Sequence, residues 1–289
     1  MIRLAVRLSR DQAEVVLAEL LELAPAGVEE VDLDGEVVEY AIYGPPGELP
    51  ALPDLHALAG AALVEVSTSE IPDDWQERWR DFHRPVLVSA PASAFAIPSL
   101  HVRPPWEPPH AGPAHAAEIV IDPGQAFGTG AHATTRLCLE LLLEVAAADR
   151  RRGALLDIGT GSGVLAIAAS VLGYAPVAAL DNDPASTLAA TENAAANDVV
   201  LDIRPFDLHV QPVPDLGTGE PPTVLANLLR PLLIELAGTL AGPPANLLAG
   251  GLLADEADEV AAHLCSRLGM QERERRRQGE WAALWLAPG

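Results

Sequence analysis

The chain contains no lysine: all 18 of its cationic residues are arginine, set against 41 acidic ones. A formal net charge of −23 excludes a nucleic-acid backbone as the main partner, because phosphate binding needs a basic surface. It suits a basic protein or a small molecule, and it also serves plain solubility. Cysteine is scarce too. Cys138 and Cys265 stand far apart in apolar helical patterns, which excludes a disulfide framework and fits a reducing cytoplasm. Aromatics amount to 4%, so Ala, Leu and Val must fill the core. No stretch is apolar and charge-free for long enough to cross a bilayer. Met1 to Arg10 alternates apolar and polar residues with several arginines, unlike the continuous apolar run of a secretory leader. His101, His110 and His115 lie in a proline-rich stretch without cysteine partners or close ligand spacing, so no metal site is expected.

What is there is a chain of 289 residues, 49% hydrophobic and 20% charged, enough to bury a sizeable core. Three regions are expected. Residues 1–70 read as a small α+β unit of ferredoxin-like type. A strand at 2–8 alternates through Ile2, Leu4, Val6 and Leu8, and Ser9 can cap a helix striped by Val15, Val16, Leu20 and Leu23. Strands near 28–33 and 36–43 turn at Asp34-Gly35, a hairpin signal, and another strand lies near 62–67. Residues 71–117 form a linker: a helix with Trp75 and Trp79 on one face, then a proline-rich segment around Trp106 with short strands. Residues 118–289 alternate strand and helix. Strands are expected near 118–121, 154–158, 176–181, 201–204, 223–227 and 246–251, and helices near 132–147, 163–172, 184–196, 230–241 and 255–264. Such alternation implies a mostly parallel sheet covered on both faces. Strands near 268–275 and 280–286 have no helix between them and should close it as an antiparallel hairpin.

The chemistry centres on Leu155-Leu-Asp157-Ile-Gly159-Thr-Gly161-Ser-Gly163, a strand running into three glycines and then a helix. Glycine is required where a backbone turns tightly and a ligand approaches it closely. Asp157 can accept a hydrogen bond from an ammonium group or from water. A second strand ends in Asp181-Asn182-Asp-Pro, 18 residues after Gly163, where a carboxylate can accept both hydroxyls of a ribose. The D-x-G-x-G-x-G spacing differs from the dinucleotide fingerprint. With the strand-end acid and closing hairpin it resembles the class I methyltransferases, which bind S-adenosylmethionine. Nicotinamide binding, or merely close helix packing, are the alternatives. A third strand ends in Ala226-Asn227-Leu-Leu, beyond which the ligand crevice of such a sheet lies. The amide oxygen of Asn227 can accept N–H bonds and aim an amine lone pair.

Asp122-Pro-Gly-Gln-Ala-Phe127-Gly128-Thr129-Gly130-Ala-His-Ala-Thr134-Thr135, together with the three motifs above, resembles the ribosomal protein L11 lysine methyltransferase family, the PrmA type. The resemblance spans roughly residues 70–289, and its A-F-G-T-G-x-H segment is the specific part. Ala131 and Ala133 depart from the family's usual threonine and proline without removing a catalytic group. The resemblance implies a class I, Rossmann-like fold with a seven-stranded sheet. It implies S-adenosylmethionine as the cofactor, with Phe127, Gly128, Thr129 and Gly130 closing over its methionine and the incoming amine. Thr134, Thr135, Asp157, Gly159, Gly161, Gly163, Asp181, Asn182 and Asn227 complete the expected cofactor site, and Asn227 and Phe127 are the expected catalytic residues. Thr134 and Thr135 sit at a helix start, where capping is the competing role. His132 reads as structural, because an imidazole at its ordinary pKa is a poor base for a lysine ammonium near 10.4.

The implied reaction is N-methylation of lysine, and also of an α-amine, on a large-subunit ribosomal protein by a cytoplasmic monomer that makes no direct nucleic-acid contact. Without lysine, such an enzyme cannot methylate its own side chains. The small unit, which grips the substrate in the family, is short and acidic here. The alternatives are another protein or a small-molecule amine as substrate and, from another class, an NAD(P)-dependent oxidoreductase. The run Arg273 to Arg277 is expected to be a solvated edge, with a docking patch as the alternative.

Overall fold

The computed structural model describes residues 2–9, 16, 29–32, 37–44, 49, 63–70, 84–89, 99–109, 116–123, 132–148 and 152–289. The chain divides into two compact units, Met1–Phe82 and His83–Gly289.

In the first unit, β1 (Ile2–Ser9), β2 (Glu29–Asp32), β3 (Val37–Gly44) and β4 (Leu63–Glu70) form a sheet of order β2-β3-β1-β4. Every neighbouring pair is antiparallel, with β1 in the interior, the order expected of a ferredoxin-like unit. The period-2 pattern is what makes the sheet two-faced. Leu4, Val6 and Leu8 lie opposite Ile42, Tyr40 and Val38, and with the helical residue Val16 they form the core. On the other face Arg7 donates to Glu39 at 2.7 Å and to Glu65 at 2.6 Å, and Arg3 donates to Glu39 at 2.5 Å. Glu39 is only 5% exposed, and the hydrogen bond from Arg3, helped by Arg7, holds its carboxyl below the ordinary range. The expected hairpin is present, since Asp32 pairs with Val38. Its turn at Asp34-Gly35, the rest of the first expected helix, and the Trp75–Trp79 helix lie outside the described residues.

The second unit opens with a three-stranded sheet, β5 (Val86–Val88), β6 (Ser99–Arg103) and β7 (Ala116–Val120), in that order. These first two are the short strands expected in the proline-rich segment. β7 corrects an expectation: it does not begin the main sheet but runs parallel to β6. Its backbone is engaged there, down to Ile121, whose N–H donates to the Arg103 carbonyl at 2.9 Å.

There follow α1 (Ala133–Ala148), β8 (Leu155–Ile158), α2 (Val164–Val171), β9 (Val177–Asp181), α3 (Pro184–Ala196) and β10 (Asp202–Pro205). The chain ends with β11 (Thr223–Asn227), α4 (Arg230–Thr239), β12 (Asn246–Leu253), α5 (Ala257–Leu268), β13 (Met270–Gln278) and β14 (Trp281–Pro288). The sheet has seven strands in the order β10-β9-β8-β11-β12-β14-β13. β8 to β12 are parallel, and β14 runs antiparallel to both of its neighbours. The central strands β8, β9, β11 and β12 are mostly apolar on both faces because helices cover both. Leu155, Leu225 and Leu248 pack with α1, α2 and α3, while Leu156, Val224 and Leu247 pack with α4 and α5. The strand order reverses at β8, and a crevice opens there beyond the carboxyl ends. At the far edge, β13 carries the arginine run. Arg275 pairs with Glu272 and Asp258, Arg276 with Glu144, and Arg273 donates to the Pro288 carbonyl. Charges along an outer strand disfavour pairing with another chain.

Candidate active site at the carboxyl ends of the strands

The glycine loop leaves β8 with φ of +74° at Gly159, +53° at Gly161 and +83° at Gly163. Gly163 caps α2, and a Cβ there would lie 3.1 Å from both Cα and Cβ of Ala190, so this position needs glycine for its dihedral and for space. The next strand holds the loop. The N–H groups of Gly159 and Thr160 donate to the Leu180 carbonyl at 2.8 and 3.0 Å, and Gly161 N–H donates to Asp181 Oδ2 at 2.8 Å. Asp181 Oδ1 accepts from Asp183 N–H at 3.0 Å, and Asp183 caps α3 through Ala185 N–H at 2.9 Å. An ionised carboxylate offers about four acceptor positions, so Asp181 retains capacity for ribose hydroxyls.

Asp157 is fully buried. Its Oδ2 accepts from Thr160 Oγ1 at 2.7 Å and from Ala166 N–H at 3.1 Å, one of the amides a helix start leaves without a partner in its own helix. Its Oδ1 is buried with no hydrogen-bond partner among the described residues. Burial, with a smaller contribution from Asp181, pushes the carboxyl up to about 7 against the pull of those hydrogen bonds. One oxygen thus ties the loop to α2 while the other is left for an ammonium group or water.

Asn227 ends β11, and its Nδ2 makes a long 3.5 Å contact with Thr135 Oγ1. Its Oδ1 is likewise buried, with no hydrogen-bond partner among the described residues. Two elements confine it. A Cβ on Gly250 of β12 would lie 2.9 Å from that Oδ1 and would collide with Cys138 Sγ of α1. Thr134 and Thr135 are buried at the start of α1, but the capping role considered for them belongs to His132. The His132 carbonyl accepts from Arg136 N–H at 3.1 Å, and its Nδ1 lies 2.8 Å from Thr134 Oγ1 and accepts from Thr134 N–H at 3.4 Å. Trp281 meets the imidazole edge-on at 5.1 Å. These contacts give His132 a structural task at the start of α1, and the Thr135 hydroxyl faces Asn227.

Beside the loop lies a cleft lined by Gly159, Asp181, Asn182, Phe206, Leu208 and Leu228 among others. Leu228, next to Asn227, packs so closely on Gly159 that a Cβ there would collide with it. Asn182 is exposed at this cleft. The structure thus brings Asp181, Asn182, Gly159 and the root of Asn227 together. Phe127, Gly128, Thr129 and Gly130 lie outside the described residues. Phe206, Asp207 and Leu208, just beyond β10, were missed by the sequence reading. Their signal was there: an acid following the third strand of a parallel sheet, as Asp157 and Asp181 stand at the ends of the first two.

The chain has known relatives over most of its length. The family described as "Ribosomal protein L11 methyltransferase (PrmA)" matches residues 52–287. A ribosomal protein L11 methyltransferase of Pelobacter propionicus is 34% identical over 94% of this chain and 83% of its own length. Another, from Syntrophotalea carbinolica, is 34% identical over 94% of this chain and 92% of its own. The crystal structure of a ribosomal protein L11 methylase from Lactobacillus delbrueckii subsp. bulgaricus superimposes with a TM-score of 0.56 at 26% identity, covering 70% of this chain and 98% of that one.

Proposed function

This chain belongs to the ribosomal protein L11 methyltransferase (PrmA) family, and from that premise we propose that it transfers methyl groups from S-adenosylmethionine to lysine amines of the large-subunit ribosomal protein L11. It is an S-adenosylmethionine-dependent methyltransferase, and the residues present fit that cofactor. Gly159, Gly161 and Gly163 would admit its close approach. Asp181 and Asn182 would take the ribose, and Phe206, Asp207 and Leu208 the base. The partnerless Oδ1 of Asp157 suits the ammonium of the methionine moiety, directly or through water. When bound, the cofactor supplies an electrophilic methyl group on a sulfonium.

The observation that carries the amine assignment is the buried Oδ1 of Asn227, which has no hydrogen-bond partner among the described residues. Its Oδ1 accepts an N–H of the incoming amine, which turns the lone pair toward the methyl. Presenting a neutral lysine at pH 7 costs about 4 to 5 kcal/mol, and a dry pocket that disfavours the ammonium lowers that cost. Alignment and water exclusion are then the chain's main contributions. Phe127 and its neighbours, by resemblance, cover the reacting groups.

The small unit is the proposed grip on the substrate: residues 1–82 hold 18 acids and five arginines, suited to a basic ribosomal protein. The same charge disfavours direct nucleic-acid contact. We take the enzyme to work as a cytoplasmic monomer. The test uses labelled S-adenosylmethionine and ribosomal proteins from a strain lacking this gene. Label on L11, lost with Asn227→Ala, is expected. Cofactor binding without label on any ribosomal protein would overturn the substrate while leaving the cofactor site standing.

A further inference from the structure

Two asparagines four residues apart on one face of α3, Asn193 and its C-cap neighbour Asn197, hold a backbone that no strand accompanies on that side among the described residues. Asn197 Oδ1 accepts from Val120 N–H at 2.8 Å, and its Nδ2 donates to the Val120 carbonyl at 2.6 Å. Two residues on, Asn193 Oδ1 accepts from Asp122 N–H at 2.8 Å, and its Nδ2 donates toward the Asp122 carbonyl at 3.4 Å. Ile121, between them, is turned the other way, to Arg103 of β6. Alternate residues of a strand face the same side. The two side-chain amides therefore stand in for a neighbouring strand, each offering one acceptor and one donor as a peptide group does.

Asn193 does more than Asn197. It is 2% exposed, and its Nδ2 also donates to the Ser162 carbonyl at 2.9 Å, inside the glycine loop between Gly161 and Gly163. Its acceptor and both donor hydrogens are thus engaged. One buried amide ties the cofactor loop to Asp122, from which the chain continues by sequence into Gly124-Gln-Ala-Phe127. Asn197 holds Val120 and the Asn193 carbonyl and makes no hydrogen bond to the loop.

We propose that Asn193 is a positioning residue that sets the glycine loop and the root of the Asp122 segment relative to each other, so that cofactor affinity and methyl transfer both depend on its amide. The inference rests on the glycine loop being the cofactor site.

The test compares Asn193→Ala, Asn193→Asp and Asn197→Ala in the full chain, ten degrees below the lowest of their Tm values. Three quantities are read: the Kd of S-adenosylmethionine by calorimetry, hydrogen exchange of the Gly159–Gly163 amides, and kcat against KM. Asn193→Ala is expected to weaken cofactor binding at least tenfold, speed exchange in the loop, and lower kcat. Asn193→Asp keeps the acceptor for Asp122 but sets a carboxylate against the Ser162 carbonyl, and it should bind no better than Asn193→Ala. Asn197→Ala should lower Tm and leave Kd and kcat within twofold. Wild-type Kd, kcat and loop exchange in Asn193→Ala, or equal losses in Asn193→Ala and Asn197→Ala, would overturn the proposal. Failure of the unaltered chain to bind S-adenosylmethionine would instead overturn the cofactor-site reading on which it rests.

Discussion

The two ends of the seven-stranded sheet differ in a way that cavity size alone would misjudge. At the amino ends of β8, β11 and β12 lie the roomier hollows, the larger bordered by Pro214, Pro221, Pro222, Pro243 and Pro244. At the carboxyl ends the cleft is smaller. Yet the smaller space adjoins Asp181 and the glycine loop, and this end of the sheet holds two buried acceptors, on Asp157 and Asn227, that have no hydrogen-bond partner among the described residues. The difference follows from the parallel arrangement. Strand carboxyl ends meet helix starts, where free N–H groups and the positive end of the helix dipole gather. The amino ends meet helix terminations and are filled by proline-rich connections. Chemistry resides where polar groups are left unsatisfied at a cost, and room by itself attracts nothing in particular.

Substitutions can break or sharpen this contrast. The largest effect is expected of Asn227→Ala, which removes the acceptor and should lower kcat roughly 10²- to 10³-fold in steady-state methyl transfer. Next comes Gly250→Ala. Its new methyl meets Cys138 Sγ and Asn227 Oδ1, and overpacking of this kind costs about 1–3 kcal/mol, visible as a lower denaturation midpoint. A kcat loss of roughly tenfold should accompany it, because small displacements of an aligning group are costly.

Asp157→Asn should act on the pH dependence of stability. Burial lifts this carboxyl from 3.8 to about 7, so the folded chain holds a proton that the unfolded chain releases between those values. Its contribution to stability is therefore highest below about pH 4 and falls as pH rises toward 7. Melting from pH 4 to 8 should show a steeper decline in the unaltered chain than in Asp157→Asn, and equal slopes would remove Asp157 as the cause. The smallest effect is expected at the amino ends. Leu216→Ala, in the wall of the large hollow, should cost about 1–2 kcal/mol of stability and leave kcat within about twofold. A large kcat loss in a folded Leu216→Ala protein would end the distinction between the two ends.

Much of this was legible in the residues. The Asp157 to Gly163 run, the Asp181 strand end and Asn227 could be located because strand, turn and helix start are written over a few neighbouring positions, and the helix at 184–196 was read with its bounds. The roles of Thr134 and His132 were harder, since either side chain can cap a helix and only the coordinates show the imidazole doing so. Phe206 to Leu208 escaped because no glycine motif marks them, only their place after β10. β7 was assigned to the wrong sheet, because a short, mostly apolar strand carries no label for its partner.

By itself, then, the sequence determined the alternation of strands and helices, the closing hairpin, the cofactor loop and the family to which the chain belongs. These depend on periodicity, on dihedral preference and on motifs a few residues long. The tertiary structure decided which side chains meet. It set the Asn193 amide between Asp122 and Ser162, the Gly250 backbone against Cys138 and Asn227, and the second oxygen of Asp157 in a place without partners. Such contacts join residues tens to a hundred positions apart, and local propensity carries no information about them; they exist only once packing has fixed the helices on the sheet.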